Sequence, residues 1–241
     1  MKKLYMKNEL LFSLLWIGFY VVLLSIAENL SDVLGTEKII TAPFTIIIAT
    51  FLVLWIMKND LTEKYGFCKS KISCKELLYF IPLIIIGSVN LWHGVTLNYS
   101  IFESIIYVIS MLCVGVIEEI LFRGFLFQAM CRDNVKAAII VSSLTFGIGH
   151  IVNLFNGAEI FSTLLQVCYA AAIGFMFTII VYKGKTIIPC IITHSVVNSL
   201  STFAIDAGAI FDTIVAIVLI VVSVLYAVWI LKSTKNYGLS Y

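Results

Sequence analysis

The sequence predicts an all-α, polytopic membrane protein of about eight transmembrane helices, with both termini cytoplasmic and a single membrane-embedded domain over residues 1–241. Three observations carry this reading. The chain is 61% hydrophobic and 12% charged, against about 45–50% and about 25% in soluble domains, and its mean hydropathy is +1.05. Its apolar residues come in long blocks rather than in alternation, as spanning helices require. Its basic residues fall almost wholly on alternate loops. A net charge of +2, with no basic stripe interleaved with aromatics, argues against nucleic acid and leaves the lipid bilayer as the expected partner.

The expected spans run from Leu10 to Ala27, Ile39 to Met57, Leu77 to Leu97, Ser104 to Met130, Lys136 to Phe155, Ile160 to Tyr182, Thr186 to Ala204 and Ala209 to Leu231. Several lie near the roughly 20 residues that cross a ~30 Å hydrocarbon core. The fourth is long enough to tilt or to begin along the interface. Loop charges test the count. Lys2, Lys3 and Lys7 precede the first span; Lys58, Lys64, Lys69, Lys71 and Lys75 follow the second; Arg132 and Lys136 follow the fourth; Lys183 and Lys185 follow the sixth; Lys232 and Lys235 close the chain. The opposite loops hold only Lys38, and Arg123 lies inside a span. Cytoplasmic loops are enriched in Lys and Arg, so the lysine-rich side is expected to face the cytoplasm of a cell membrane crossed several times. MKKLYMKNE resembles the basic start of a signal peptide, but no A-x-A-like site follows it, and an uncleaved first helix is expected. The six cysteines have no CxxC spacing. Cys68 and Cys74 fall in a cytoplasmic loop where thiols stay reduced. Cys113, Cys168 and Cys190 fall within spans, where a thiol is a small hydrophobe, and Cys131 ends one. None is assigned a disulfide or a metal.

One stretch breaks the apolar pattern. GVIEEILFRGFLF, residues 115–127, places Glu118, Glu119 and Arg123 inside the fourth span. Each charge at a helix centre costs about 2.5–3.5 kcal/mol on insertion scales, so three acting alone would cost roughly 7–10 kcal/mol. Glu119 and Arg123 are spaced i, i+4 and can pair on one face. Glu118 lies about 100° round the helix and has no local partner. A structural polar knot that holds helices together, or an arginine beside two glutamates that snorkels to the interface, would also account for the cluster. Two further sites point to chemistry. SSLTFGIGHIVNLF in the fifth span carries Phe146 and His150, with Gly147 and Gly149 allowing close approach by a neighbouring helix. TIIPCIITHSVVNSL in the seventh carries His194 and Asn198 at i, i+4, with Pro189 near the start of the span. The third histidine, His93, is expected to be a packing residue. A carboxylate and two imidazoles can activate water against a carbonyl, or can hold a zinc that keeps one position open. An asparagine amide beside a histidine can donate to an oxyanion.

These residues carry a resemblance. E-E-I-L-F-R at 118–123, F-G-I-G-H at 146–150 and H-S-V-V-N at 194–198 match E-E-x-x-x-R, F-x-x-x-H and H-x-x-x-N. In that order and spacing they resemble the CPBP family of CAAX proteases and bacteriocin-processing enzymes, also called the Abi family, which are intramembrane proteases usually described as metalloproteases. The resemblance covers roughly residues 104–204. It implies that Glu118 is the general base on a water that His150 helps to hold, that Glu119 and Arg123 support and orient the site, and that His194 and Asn198 stabilise the oxyanion. It allows two schemes: a zinc held by Glu118, His150 and His194, or a metal-free glutamate protease. No H-E-x-x-H zinc signature is present.

The expected substrate is a peptide bond in a membrane-associated or lipidated protein tail, in a maturation or bacteriocin-immunity setting. Two other classes stay open at this point. A proton-coupled transporter also places Glu, Arg and His in its spans, but here the two halves show no similarity to each other and the polar motifs all lie in the second half. A noncatalytic immunity or scaffold protein would keep the fold without the chemistry.

Overall fold

Inside a hydrocarbon layer each backbone N–H and C=O must be paired within the chain, and this sequence meets that demand with helices. The structure is a computed structural model that describes residues 1–234; Lys235, assigned above to the basic side, lies outside them. The elements in order are α1 (Lys2–Lys7), α2 (Glu9–Val33), α3 (Thr41–Lys58), α4 (Ile81–Gly87), α5 (Ile101–Glu119), a π-helical stretch (Ile120–Leu126) that runs on into α6 (Phe127–Cys131), α7 (Val135–Gly149) with a 3-10 extension (His150–Leu154), α8 (Ile160–Gly184), α9 (Ile188–Leu200) and α10 (Ala209–Ser233). Among the described residues the only β pairing is an isolated bridge between Val95 and Ala204. Local sequence sets the starts. Asn8 accepts from Leu11 N at 2.8 Å, Asn134 accepts from Ala137 N at 3.0 Å, and Ser100 with Glu103 forms a reciprocal capping box.

Among the described residues six helices are long and apolar enough to cross a membrane: Glu9–Val33, Thr41–Lys58, Ile101–Cys131, Val135–Leu154, Ile160–Gly184 and Ala209–Ser233. The expected third and seventh spans take a different form. The stretch 77–97 is broken: Leu78 and Phe80 have left-handed backbones with φ of 48° and 62°, Pro82 sits in the first turn of α4, and Gly94 turns the chain at φ 102°. Pro189 likewise sits in the first turn of α9, where its missing N–H costs nothing. α9 is 13 residues long and ends in a 3-10 turn, Ser201–Phe203. Hydropathy sums are blind to such breaks. These two stretches run side by side, with Asn90 Nδ2 donating to Val197 O at 2.7 Å and Thr96 N donating to Phe203 O at 2.9 Å.

The loops rich in lysine gather at one end of the bundle. Lys64 Nζ bonds both oxygens of Glu9 at 2.7 Å, Arg132 approaches Glu9 at 3.7 Å, Lys71 N donates to Gly184 O at 2.9 Å, and Lys183 Nζ donates to Thr234 O at 3.2 Å. Lys38 stands at the other end, paired with Glu28 and over the Tyr107 ring. His93 is exposed there, against Phe211 at 4.7 Å, away from the candidate cluster.

Glycines bring the motif helices together. A Cβ on Gly147 would meet Val167 O and Ala171 Cβ at 2.7 Å, so α7 and α8 touch backbone to backbone, as the small-residue pattern predicts. Gly149 departs from that expectation: no atom lies within 4 Å of its would-be Cβ, and it borders a cavity instead. A Cβ on Gly115 would meet Ser195 Oγ at 2.3 Å and Ser195 N at 2.7 Å. α9 therefore lies directly on α5, one residue from His194. Gly115→Ala should push α9 outward and cost about 1–3 kcal/mol, read as a lower thermal midpoint of the purified protein in detergent. An unchanged midpoint would contradict the close crossing.

Candidate active site

The third long helix, Ile101–Cys131, changes pitch where the charges lie. From Ile120 to Leu126 it widens to π geometry, with Phe127 N donating to Phe122 O. Such wide turns recur at functional sites because they aim side chains that a regular helix would not. Ser142 Oγ on α7 adds a second bond to Phe122 O at 2.9 Å, which ties the widened turn to the helix that carries His150.

The answer to the three intramembrane charges is a shared network. Arg123 Nη1 donates to Glu119 Oε1 at 2.9 Å, and both side chains are 0% exposed. His194 Nδ1 also meets Glu119 Oε1, at 2.8 Å. Because a carboxylate only accepts, Nδ1 carries the proton and Nε2 faces away from Glu119. That Nε2 lies 3.6 Å from Glu118 Oε2. The partner that Glu118 lacks along its own helix is supplied from α2, where the Tyr20 hydroxyl donates to Glu118 Oε1 at 3.1 Å. Glu119 thus joins Arg123 to His194, and His194 reaches on to Glu118.

Phe146 explains the aromatic position of its motif. Its ring lies 4.0 Å beneath the Arg123 guanidinium and 5.2 and 5.4 Å from the rings of His150 and His194. The guanidinium needs that face, because its Nε and Nη2 have no hydrogen-bond partner among the described residues, and neither has Glu119 Oε2. Gly174 on α8 leaves the room, since a Cβ there would stand 3.1 Å from both Arg123 Nη2 and Phe146.

The two glutamates are not equivalent. Glu119 is sealed, whereas the Glu118 side chain is 15% exposed and borders a cavity of about 80 Å³ that Tyr20, Phe146, Gly149, His150 and Asn153 also line. That is room for a few waters, each taking roughly 30 Å³ in the liquid. His150 Nδ1 donates to Phe146 O at 3.0 Å, which leaves Nε2 as its lone-pair nitrogen. Asn153, also on the cavity, is held by Gln166 at 2.8 Å.

Five of the six sequence-predicted residues, Glu118, Glu119, Arg123, His150 and His194, therefore gather around Phe146 and this cavity. Asn198 lies one turn beyond His194 on α9, and no hydrogen bond joins its side chain to the others. Among the described residues no three His, Cys, Asp or Glu side chains are grouped closely enough to hold a metal ion, so Glu118, His150 and His194 do not form a ready metal cage as placed. Sequence reasoning draws its candidates from roughly residues 104–204 and misses Tyr20. No spacing rule ties a phenol in the first span to a motif 98 residues away.

Comparison with known proteins agrees with the motifs. Residues 100–200 match the family model of type II CAAX prenyl endopeptidase Rce1-like proteins. That segment, which carries the Rce1-like signature of the CPBP family, contains all six candidate residues. At the level of the family the match supports a CAAX-type intramembrane protease. No curated protein matches the chain.

The sealed ion pair makes a stability prediction. Arg123→Met strands Glu119 without its cation and should cost about 3–5 kcal/mol. Combining it with Glu119→Gln should recover part of that loss. Thermal unfolding of the single and double variants reads the difference, and a double variant no more stable than Arg123→Met alone would contradict the pairing.

Proposed function

We propose that the protein is an intramembrane endopeptidase that hydrolyses a peptide bond in a membrane-associated or lipidated peptide tail. The observation that carries this reading is the division of labour between the two glutamates: Glu119 is sealed by Arg123 and His194, while Glu118 borders a water-sized cavity with His150. A structural knot would need no cavity.

In the mechanism, a water in the cavity donates one hydrogen bond to Glu118 Oε2 and the other to His150 Nε2. Glu118 takes the proton as the water oxygen attacks the carbonyl carbon, forming a tetrahedral intermediate. The developing oxyanion accepts from the Asn198 amide once substrate is seated, and from His194 Nε2 when a proton taken from solvent adds to the one that Nδ1 donates to Glu119. Glu118 then returns its proton to the departing nitrogen as the C–N bond breaks. Arg123 stays bound to Glu119 and holds it in place. Each step uses the chain's own groups. The lysine-rich end is read as cytoplasmic in a cell membrane, and the cavity as reached by an extended peptide rather than a folded domain.

Glu118→Gln keeps the shape of the side chain and removes the base. It should lower turnover by about 10²–10⁴-fold with an unchanged melting temperature, using purified protein in lipid, a panel of lipidated and unlipidated peptides, and mass spectrometry of the products. Cleavage by a folded Glu118→Gln variant at the wild-type rate would sink the assignment. The same assay after exhaustive chelation should retain activity; loss restored by added zinc would return Glu118, His150 and His194 to the role of metal ligands.

A further inference from the structure

The hydrolytic reading uses residues of the matched segment only, yet the carboxylate at its centre touches a helix outside it. The Tyr20 side chain lies on α2 and is 2% exposed, so its ring has one place to be. Its hydroxyl donates to Glu118 Oε1 at 3.1 Å, across 98 residues of sequence. The other oxygen, Oε2, is the one that faces His194 Nε2 at 3.6 Å. The two oxygens of Glu118 are therefore distinguished: one is tethered to the wall of the cavity and the other is turned toward the imidazole. Tyr20 and Glu118 both line that cavity, together with Val21 and Leu24 of α2.

We propose that Tyr20 is a positioning residue for Glu118, fixing the rotation of its carboxylate so that a single oxygen meets the attacking water, and that α2 is thereby part of the working site. The proposal rests on the hydrolytic reading above. A carboxylate is free to spin about its terminal bond unless something holds it, because that torsion is broad. Glu118 sits on the last turn of α5, just before the wide π turn, and no residue of its own helix pairs with it. Tyr20 supplies the hold from a helix packed on the π stretch. The bond is made to a carboxylate oxygen, and at 3.1 Å it is a long tether that sets direction rather than a short, strong bond. It also persists through the reaction: while Oε2 accepts the water proton and hands it to the leaving nitrogen, the phenol keeps its own proton on Oε1.

Tyr20→Phe removes one oxygen and keeps the ring. Measured in lipid on a peptide that the wild type cleaves, it should lower kcat about ten- to a hundred-fold, with KM changed less than about two-fold and the melting temperature held. In a Glu118→Gln background the same change should cause no further loss, because Tyr20 acts through Glu118. That non-additivity is a readout that a merely structural phenol would not give. An unchanged kcat in folded Tyr20→Phe, a loss confined to KM, or losses that multiply in the double variant would each overturn the proposal while leaving the hydrolytic reading intact. A wild type that cleaves no peptide would overturn both.

Discussion

Glu119 Oε1 accepts from Arg123 and from His194 at once, and the geometry of the site depends on that shared oxygen. It fastens α5 and the π turn to α9, joining residues 75 apart in the chain, through charges that hydrocarbon would otherwise expel. Removing one member leaves the others stranded, which is why a buried pair is weak as a net source of stability and strong as a determinant of arrangement. The surrounding packing follows from it: Phe146 covers the guanidinium, Gly174 makes room for both, and Gly115 lets α9 come close enough for His194 to reach.

This network separates two tasks that adjacent glutamates in a sequence cannot reveal. Neighbours on a helix point about 100° apart, so one can face a sealed interior while the other faces a cavity. Burial assigns Glu119 to the first task and partial exposure assigns Glu118 to the second. Both histidines use Nδ1 as the anchored nitrogen, one on Glu119 and one on the Phe146 carbonyl. Their Nε2 atoms are left for other partners, as the orientation of working imidazoles requires.

Much of this was legible in the residues. Apolar blocks and lysine placement give the membrane class and the pairing of loop ends, and three short motifs pick out five residues that meet. What escaped has physical reasons. Summed hydropathy does not register Pro82, the left-handed Phe80 or the 3-10 turn after α9, so two stretches that read as uninterrupted apolar runs are built from short or broken helices. Gly149 looks like a packing glycine beside Gly147, but helical phase turns it toward the cavity. Asn198 is in phase with His194 yet one turn too far along the axis to join the network. Tyr20 is invisible because a hydrogen bond between distant helices leaves no periodicity behind.

The brevity of α9 has a consequence for the lipid around it. At 1.5 Å per residue its 13 residues span about 20 Å, against a hydrocarbon layer of about 30 Å. Its outward stripe of Ile188, Ile192 and Val196 is exposed over that length only. Acyl chains that follow the stripe must shorten or splay, which costs a fraction of a kcal/mol per ångström of mismatch. A hydrocarbon layer that matches this stripe is thinner beside the helix that carries His194 than the roughly 30 Å of an ordinary bilayer.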